Sequence, residues 1–326
     1  MKDVGIAGLP FSGKSTLFTA LTRAGSAGGQ ANQAVVGVPD PRLDVLTDME
    51  RSKKTVAAQV RFVDVPGGTN SARGIAELRT VDALALVLRC FGDGNPAQEL
   101  AEIRADLVLA DLAVMETAVD GARKRTKAQK GSSEELDVLE RALAALNADT
   151  TLRDAGFTDE EARHLRSAAP LTLKPWITIA NLEEGTDVPA GLPDETTGVY
   201  ASIEAETAEM EPEEARALLE EFGVDRPGLE RVIAACYFAM DLITFLTTGE
   251  DETRAWEVRR GAKAPEAAGV IHTDLQRGFI RADVIGYDAL VEAGSMDAAK
   301  AAGKIRVEGK DYVVQEGDIL HVRFAV

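Results

Sequence analysis

The fold of this chain is decided near its start by the sequence Gly8-Leu9-Pro10-Phe11-Ser12-Gly13-Lys14-Ser15-Thr16. These residues match G-x-x-x-x-G-K-[ST], the pattern of a phosphate-binding loop. A short apolar segment, residues 4–7, precedes the loop, and apolar residues at helical spacing follow it. Glycines let backbone N–H groups surround phosphates, and the following helix directs its positive end at them. The alternative is a glycine turn that happens to precede a lysine, but the flanking strand and helix favour the binding loop.

The loop residues carry specific chemical expectations. We expect Lys14 to contact the β- and γ-phosphates of a nucleoside triphosphate and the Ser15 hydroxyl to ligate Mg²⁺. Lys14 is also expected to be catalytic, because it neutralises phosphate charge. The predicted nucleotide contacts in this loop are Leu9, Pro10, Phe11, Ser12, Gly13, Lys14, Ser15 and Thr16.

A second candidate segment is an apolar strand that ends in Asp64-Val65-Pro66-Gly67. A carboxylate at the end of a strand beside the phosphate loop can hold Mg²⁺, so we predict Asp64 as a metal ligand. The Gly67 N–H can sense the γ-phosphate, and we count Gly67 with Lys14 as catalytic. D-x-x-G alone is a weak signal that ordinary turns also produce. Gly68 follows, where Ras-like proteins carry a glutamine that positions water, and glycine has no side chain for this task.

The predicted base-binding residues follow later strands. A strand at residues 175–180 ends on Asn181-Leu182-Glu183-Glu184, which gives N-x-x-E. GTPases read guanine with N-K-x-D, and none of the five asparagines begins that pattern. A last strand then leads to Ser202 and Ile203, the expected second side of the base pocket. In isolation, a simple polar turn from strand to helix would be the preferred explanation of Asn181, Leu182 and Glu184.

Composition limits the possible classes of protein. With 326 residues we expect two or three domains, and no apolar run approaches the ~20 residues of a membrane span. The start lacks the long apolar region of a signal peptide, which favours a cytoplasmic protein. Two cysteines are too few for a disulfide scaffold. The net charge of −18 opposes nucleic-acid binding over the whole surface, so any such contact must use local basic patches.

The middle of the chain predicts a helical hairpin inserted into the nucleotide domain. Apolar residues repeat at three-four spacing from Leu100 to Val114 and again from Leu136 to Leu146. The predicted tip lies at residues 131–133, and a basic cluster precedes it: Arg123, Lys124, Arg125, Lys127 and Lys130. The cluster is interpreted as a contact for the phosphate backbone of RNA, with a merely solvated charged face as the alternative.

From about residue 242 the sequence changes to short alternating segments separated by turns, at 254–259, 279–285, 312–314 and 320–324. They predict a small α+β domain. The predicted domains are a P-loop domain of α/β class at 1–98 and 170–243, a helical insertion at 99–169, and the α+β domain at 244–326.

Taken together, these pieces resemble the YchF/Obg-like ATPase family of P-loop proteins. The most specific matches are Gly8-Leu9-Pro10 with Gly13-Lys14-Ser15-Thr16, Pro39-Asp40-Pro41-Arg42-Leu43, Val87-Leu88-Arg89-Cys90-Phe91, and the segments 267–274, 278–282 and 308–312. The resemblance implies a Rossmann-like P-loop NTPase domain, a coiled-coil insertion and a C-terminal β-grasp (TGS-like) domain. It also implies ATP preference through N-x-x-E, which Asn181 and Glu184 fit, and association with the ribosome.

The chain departs from the family pattern around the switches. The loop from Gly25 to Gln33 lacks the usual Pro-Phe-x-Thr segment, and the loop after Gly68 is cut down. Tyr200 replaces a serine that is expected in the last base-contacting segment. The chain therefore resembles a divergent member of the family, in which the nucleotide-binding elements match the family pattern better than the elements needed for hydrolysis.

The sequence thus predicts a cytoplasmic, Mg²⁺-dependent ATPase-type switch that hydrolyses ATP slowly. It is expected to engage the ribosome or structured RNA through the tip at Arg123 to Lys130 and through the TGS-like domain. No membrane contact and no DNA specificity are expected. Two alternatives stay open: a GTPase of the Obg class, and a nucleotide-gated RNA- or ribosome-binding adaptor with little turnover.

Overall fold

The computed structural model describes residues 1–24, 32–208, 210–222, 224 and 227–325. Most of the glycine-rich loop after the first helix, residues 25–31, lies outside this range. The chain divides into two compact units: a nucleotide unit of Lys2–Val36 and Arg61–Cys236, and a C-terminal unit of Met1, Gly37–Val60 and Tyr237–Val326. No helix in the described ranges is long and apolar enough to cross a membrane.

The strands, in chain order, are β1 (Lys2–Ala7), β2 (Gln33–Gly37), β3 (Thr55–Val56), β4 (Gln59–Asp64), β5 (Ala83–Cys90), β6 (Trp176–Leu182), β7 (Thr197–Val199), β8 (Leu242–Thr247), β9 (Thr253–Arg259), β10 (Phe279–Gly286), β11 (Arg306–Glu308) and β12 (Asp318–Phe324). The α-helices are α1 (Lys14–Ala24), α2 (Arg42–Glu50), α3 (Ala72–Leu78), α4 (Pro96–Lys127), α5 (Ser133–Asn147), α6 (Asp159–Leu165), α7 (Ala201–Thr207), α8 (Pro212–Glu221), α9 (Gly228–Ala239), α10 (Ala264–Ile271), α11 (Thr273–Arg277), α12 (Tyr287–Ala293) and α13 (Met296–Ala301).

The nucleotide unit is built on a six-stranded sheet in the order β2-β4-β1-β5-β6-β7. β1 pairs with β5, β5 with β6, and β6 with β7, all in parallel. The first six residues of β5 are all buried, as expected for a parallel strand covered on both faces. Because parallel strands end at the same edge, the segments that follow β1, β5 and β6 meet there.

The helical insertion consists of α4, with 32 residues, and α5. Asn95 and Ser132 begin these helices by accepting hydrogen bonds from backbone N–H groups one turn later. The two helices run antiparallel, since Arg123 pairs with Glu140 and Arg125 with Glu135. Their shared core is apolar: Val108, Met115, Val119, Val138, Leu139, Ala142 and Leu146. The predicted inserted hairpin is therefore confirmed as part of the α/β fold.

The C-terminal unit contains a second six-stranded sheet, in the order β11-β10-β12-β8-β9-β3. β10 is antiparallel to β12 while β12 and β8 are parallel, which gives a mixed sheet. Ala264, Ala267 and Ala268 of α10 pack in the same core as Phe245 and Val284 of the sheet. A helix over a mixed sheet is the predicted β-grasp arrangement. The prediction of a strand at 312–314 is wrong, because only an isolated bridge between Val313 and Lys263 forms there.

Residues 37–60 differ from the predicted domain assignment. The sequence pattern predicts them in the P-loop domain, whereas the structure places them in the C-terminal unit. β3 pairs in parallel with β9, and Ser52 Oγ donates a hydrogen bond to the Gly249 carbonyl oxygen at 2.7 Å. Arg42 forms an ion pair with Glu316 at 2.6 Å. The paired residues lie between 197 (Ser52 and Gly249) and 274 (Arg42 and Glu316) positions apart, which local sequence patterns cannot reveal.

Candidate nucleotide-binding site

The phosphate-binding loop connects β1 to α1, and its glycines are required by geometry. Gly13 has a φ of +86°, and a Cβ atom there would lie 2.0 Å from Nδ2 of Asn181. A Cβ atom at Gly8 would lie 2.4 Å from the carbonyl oxygen of Val87. Real Cβ atoms do not approach that closely, so both positions admit only glycine. The result is a loop whose backbone is pressed against the ends of β5 and β6.

Two residues of the loop, Phe11 and Ser12, have an unusual conformation or environment. Phe11 has a φ of +67° and is 86% exposed, although aromatic residues rarely adopt left-handed backbone conformations. Ser12 is fully buried, and its Oγ has no hydrogen-bond partner among the described residues. A buried hydroxyl without a partner fits a loop that completes its hydrogen bonds with a ligand.

Lys14 and Asp64 supply the charges of the site. Lys14 is partly buried, and its Nζ donates a hydrogen bond to the Leu9 carbonyl oxygen at 2.6 Å. Burial lowers the pKa of Lys14, while the negative charges of Asp64 and Glu99 oppose that shift. Burial likewise raises the pKa of Asp64, and the positive charge of Lys14 opposes it. Each group thus sits in the electrostatic field of the other beside the loop.

The residues present fit a Mg²⁺ ion that arrives with a nucleotide. Ser15 is exposed at the start of α1, and Asp64 ends β4, so a hydroxyl and a carboxylate are available as hard oxygen ligands. No group of three or more His, Cys, Asp or Glu residues able to hold a metal occurs in the described part of the chain. Ser15 and Asp64 could supply two ligands, and phosphate oxygens and water would have to supply the rest.

The segment after Asp64 packs directly against the phosphate loop. Gly67 and Gly68 both have positive φ, +79° and +48°. A Cβ atom at Gly68 would lie 3.1 Å from the Gly8 carbonyl oxygen, and one at Gly74 would lie 2.1 Å from the Gly68 carbonyl oxygen. Gly68 is buried between these two backbones, which explains why this position carries no water-positioning side chain.

A cavity of about 850 Å³ lies where the ends of β5 and β6 meet the phosphate loop. Its lining includes seven predicted nucleotide-binding residues: Gly13, Thr16, Asn181, Leu182, Glu184, Ser202 and Ile203. Tyr200, which was expected in the base-contacting segment, also lines it. Three further lining residues were not predicted as site residues: Phe91, Gly92 and Glu183. Phe91 and Gly92 directly follow β5, so the rule that ligands bind beyond the carboxyl ends of parallel strands could have identified them.

Asn181 has a structural role within this cavity. It is 5% exposed, and its Nδ2 donates to the Ser12 carbonyl oxygen at 3.1 Å. Its Oδ1 accepts a hydrogen bond from the Ala201 backbone N–H at 3.4 Å. One amide therefore ties the phosphate loop to the start of α7, which carries Ser202 and Ile203. An amide has two N–H groups and two lone pairs, so one of each remains for a ligand.

The predicted basic tip is less positive than its sequence implies. Arg123 and Arg125 are paired with Glu140 and Glu135 of α5 at 2.8 and 2.7 Å. The three lysines of the cluster are exposed, and the structure gives their side chains no ion pair with any described residue: Lys124, Lys127 and Lys130. The positive charge available to a partner is thus concentrated on these lysines.

The sheet topology, the glycine-dependent phosphate loop and the adjoining cavity define a P-loop NTPase. The family model YchF-GTPase_C, described as "Protein of unknown function (DUF933)", matches residues 242–325. The ribosome-binding ATPase YchF of Bacillus subtilis is 38% identical over 361 residues, covering 99% of each chain. Its namesake from Haemophilus influenzae is 39% identical over 358 residues with the same coverage. The chain belongs to the YchF family.

A solved structure agrees with this membership. The Schizosaccharomyces pombe YchF GTPase is 29% identical, with a TM-score of 0.87, over 99% of this chain and 97% of that one. The resemblance stated from the sequence is therefore confirmed. The alignment to the Bacillus relative spans 361 residues although this chain has only 326, so the chain lacks segments that the relative contains.

Proposed function

We propose that the chain is a Mg²⁺-dependent, ATP-preferring switch that hydrolyses ATP slowly and associates with the ribosome in the cytoplasm. The main observation behind the proposal is the phosphate-binding loop, whose geometry requires its glycines. Lys14 and Asp64 lie beside this loop, and the loop borders the same cavity as Asn181. The Bacillus and Haemophilus relatives, which are named ribosome-binding ATPases, support it.

Each predicted residue has a defined task in this proposal. Lys14 neutralises the β- and γ-phosphates, and its present hydrogen bond to the Leu9 carbonyl is exchanged for phosphate oxygens. Ser15 and Asp64 hold Mg²⁺, which would neutralise charge that develops on the phosphates. Gly67 is exposed next to the loop and offers its backbone N–H to the γ-phosphate. The remaining loop residues, Leu9 to Thr16, bind phosphate mainly through their backbone.

We assign the discrimination between adenine and guanine to residues that line the cavity. Asn181 is held by Ser12 and Ala201, which fixes its free amide hydrogen and lone pair in place. Glu184 is exposed at the cavity, and no lysine follows Asn181 to cover a guanine base. Titration of ATP and GTP against the Mg²⁺-loaded protein tests this assignment. A native preference for GTP would reject ATP as the substrate and favour the Obg-class alternative, which is also supported by the fission-yeast relative being named a GTPase.

Slow turnover is proposed because Gly68 offers no side chain to orient water. A partner would then have to supply the missing group, and the ribosome is the proposed partner. Single-turnover hydrolysis with and without ribosomes distinguishes this switch from the adaptor alternative. Acceleration by ribosomes supports the switch, whereas ATP binding with no hydrolysis in either condition supports the adaptor.

The proposed ribosome contacts are the three exposed lysines of the hairpin tip and the C-terminal unit. Lysines contact phosphates without reading sequence, so binding should weaken steeply as salt rises. The two arginines of the cluster contribute less, because their charges are already satisfied by glutamates of α5.

A further inference from the structure

Glu184, one of the two proposed base-reading residues, lies on an exposed turn. Residues 183–188 are all exposed, and Gly185 in this turn has a φ of +73°. The turn begins a connection of 14 residues, 183–196, between β6 and β7. Because an exposed turn is not held by a hydrophobic core, a side chain that selects a base from it needs attachments to other parts of the nucleotide unit.

The hydrogen bonds within the turn are local. The backbone N–H and the hydroxyl of Thr186 both donate to the Glu183 carbonyl oxygen, at 3.1 and 2.6 Å. The Glu183 carboxylate accepts a hydrogen bond from the Gly92 N–H at 3.3 Å, which is long for a bond of this kind. These contacts shape the turn, but they attach only its first residue to a neighbouring segment, and that attachment is weak.

Tyr200 attaches the far side of the turn. Its hydroxyl donates to the Thr186 carbonyl oxygen at 2.7 Å, the usual length of a well-formed O–H···O hydrogen bond. The side chain of Tyr200 is half-buried and lines the same cavity as Glu184. The hydroxyl therefore joins the turn to a second wall of the cavity, two residues after Glu184.

Tyr200 is itself held beside Asn181. It directly precedes α7, and its carbonyl oxygen accepts the backbone N–H of Glu204 at 3.0 Å. The next residue, Ala201, is buried and donates its N–H to Oδ1 of Asn181 at 3.4 Å. Two consecutive residues thus connect the two parts of N-x-x-E, since Ala201 bonds to Asn181 and Tyr200 bonds to the turn that carries Glu184.

We propose that Tyr200 is a positioning residue for base selection, whose hydroxyl holds the turn so that Glu184 faces the cavity together with Asn181. Asn181 is fixed by its place in β6 and by its bonds to Ser12 and Ala201. Glu184 is fixed relative to Asn181 by the Tyr200–Thr186 hydrogen bond. The inference rests on the proposed base binding by Asn181 and Glu184, and it adds a residue that sets how strongly ATP and GTP are distinguished.

The test variant is Tyr200→Phe, which removes the hydroxyl and keeps the ring at the cavity. Isothermal titration with Mg²⁺ measures the affinities for ATP, GTP and inorganic tripolyphosphate, which has no base and reports on the phosphate loop alone. Glu184→Gln and the double variant show whether Tyr200 acts through Glu184. Tyr287→Phe, which removes a tyrosine hydroxyl from α12 of the C-terminal unit, is the matched control. Hydrogen exchange of the amides of residues 184–187, without nucleotide, reports on the turn itself.

We expect the ratio of ATP to GTP affinity to fall about three- to tenfold in Tyr200→Phe, because one hydrogen bond is lost. The affinity for tripolyphosphate should stay within about twofold of the parent, and exchange at 184–187 should become several-fold faster. Glu184→Gln alone should also lower the ratio, and adding Tyr200→Phe should lower it no further. Tyr287→Phe should behave like the parent.

The inference is overturned if Tyr200→Phe keeps the parent's ratio, or if it lowers the ratio equally with and without Glu184→Gln. A parent that binds tripolyphosphate but does not prefer ATP would instead reject the proposed base assignment, and the role of Tyr200 with it. A parent that binds neither ATP nor tripolyphosphate would reject nucleotide binding at this site.

Discussion

The phosphate-binding loop and the segment that begins at Asp64 touch each other, yet they are built on different principles. In the loop, Gly8 and Gly13 are fixed by contacts with Val87 and Asn181, and Lys14 and Ser15 provide side-chain chemistry. In the segment, Gly68 is equally fixed, between Gly8 and Gly74, but it contributes no functional group.

Nucleotide binding and hydrolysis therefore depend on different parts of this site. In the loop, packing holds the groups that we propose contact phosphate. In the segment, packing brings two backbones together at the position where other switch proteins hold a catalytic side chain. A chain built this way should bind triphosphate well and turn it over poorly. The difference can be tested one residue at a time.

The largest effect is expected for Lys14→Ala. The variant should lose about 100-fold in ATP affinity, or ~2.7 kcal/mol, because a partly buried cation is removed from the phosphates. Isothermal titration measures the loss, with Lys130→Ala at the hairpin tip as the control that should bind like wild type. Wild-type affinity in Lys14→Ala would show that the loop does not bind phosphate.

Gly68→Gln restores the glutamine that the segment lacks, and it should fail to restore hydrolysis. Its φ of +48° and the 3.1 Å approach to Gly8 should cost ~1–3 kcal/mol of unfolding free energy. Urea unfolding measures the cost, and single-turnover assays measure hydrolysis. Gly156→Gln is the control, since its φ of +70° is also left-handed but no atom lies within 4 Å of the added Cβ. A stable Gly68→Gln variant with faster hydrolysis would contradict the conclusion that packing at this position excludes a catalytic side chain.

The base-binding side of the cavity should respond more weakly. Replacing Leu182 with Lys and Glu184 with Asp creates N-K-x-D and should shift preference toward GTP by about tenfold, or ~1.4 kcal/mol. The shift is partial, because Tyr200 and Ser202 still line the cavity. Competition between labelled ATP and GTP measures it. Leu182→Lys combined with Glu183→Asp should leave the preference unchanged, and an equal shift in that control would disprove the role of Glu184.

The smallest effect is expected at the hairpin tip. Changing Lys124, Lys127 and Lys130 to Gln should lower ribosome co-sedimentation a few-fold and flatten its salt dependence, with ATP affinity unchanged. Arg123→Gln with Arg125→Gln should have less effect, because these charges are already paired. Sedimentation equal to wild type at every salt concentration would place the contact elsewhere, for instance on the C-terminal unit.

Much of the candidate site could be predicted because its parts lie where strands of the sheet end. The loop after β1, Asp64 at the end of β4 and Asn181 in β6 all occur where a buried strand gives way to polar residues. Phe91 and Gly92 occupy an equivalent place after β5, but only this position could have indicated them, because their side chains carry no group that suggests nucleotide chemistry.

Other features depend on partners distant in sequence. Asp111 looks like any polar residue within a helical pattern, and only its bonds to Leu171 and Thr172 reveal a buried anchor. The neutralisation of Arg123 and Arg125 depends on the register of α4 against α5. The two-residue strand β3 is too short to produce any pattern, so its pairing with β9 could not be anticipated.

That pairing has a consequence for how the chain is made. A ribosome completes residues 37–60 about 200 residues before β9, which corresponds to ~10–40 s of synthesis at 5–20 residues per second. During this interval α2 and β3 lack the sheet against which they later pack. The same dependence applies to a fragment limited to residues 242–325, the span of the family model. In such a fragment, the backbone groups of β9 that now pair with β3 would lie unpaired at an open sheet edge. An open edge of this kind is a template for aggregation.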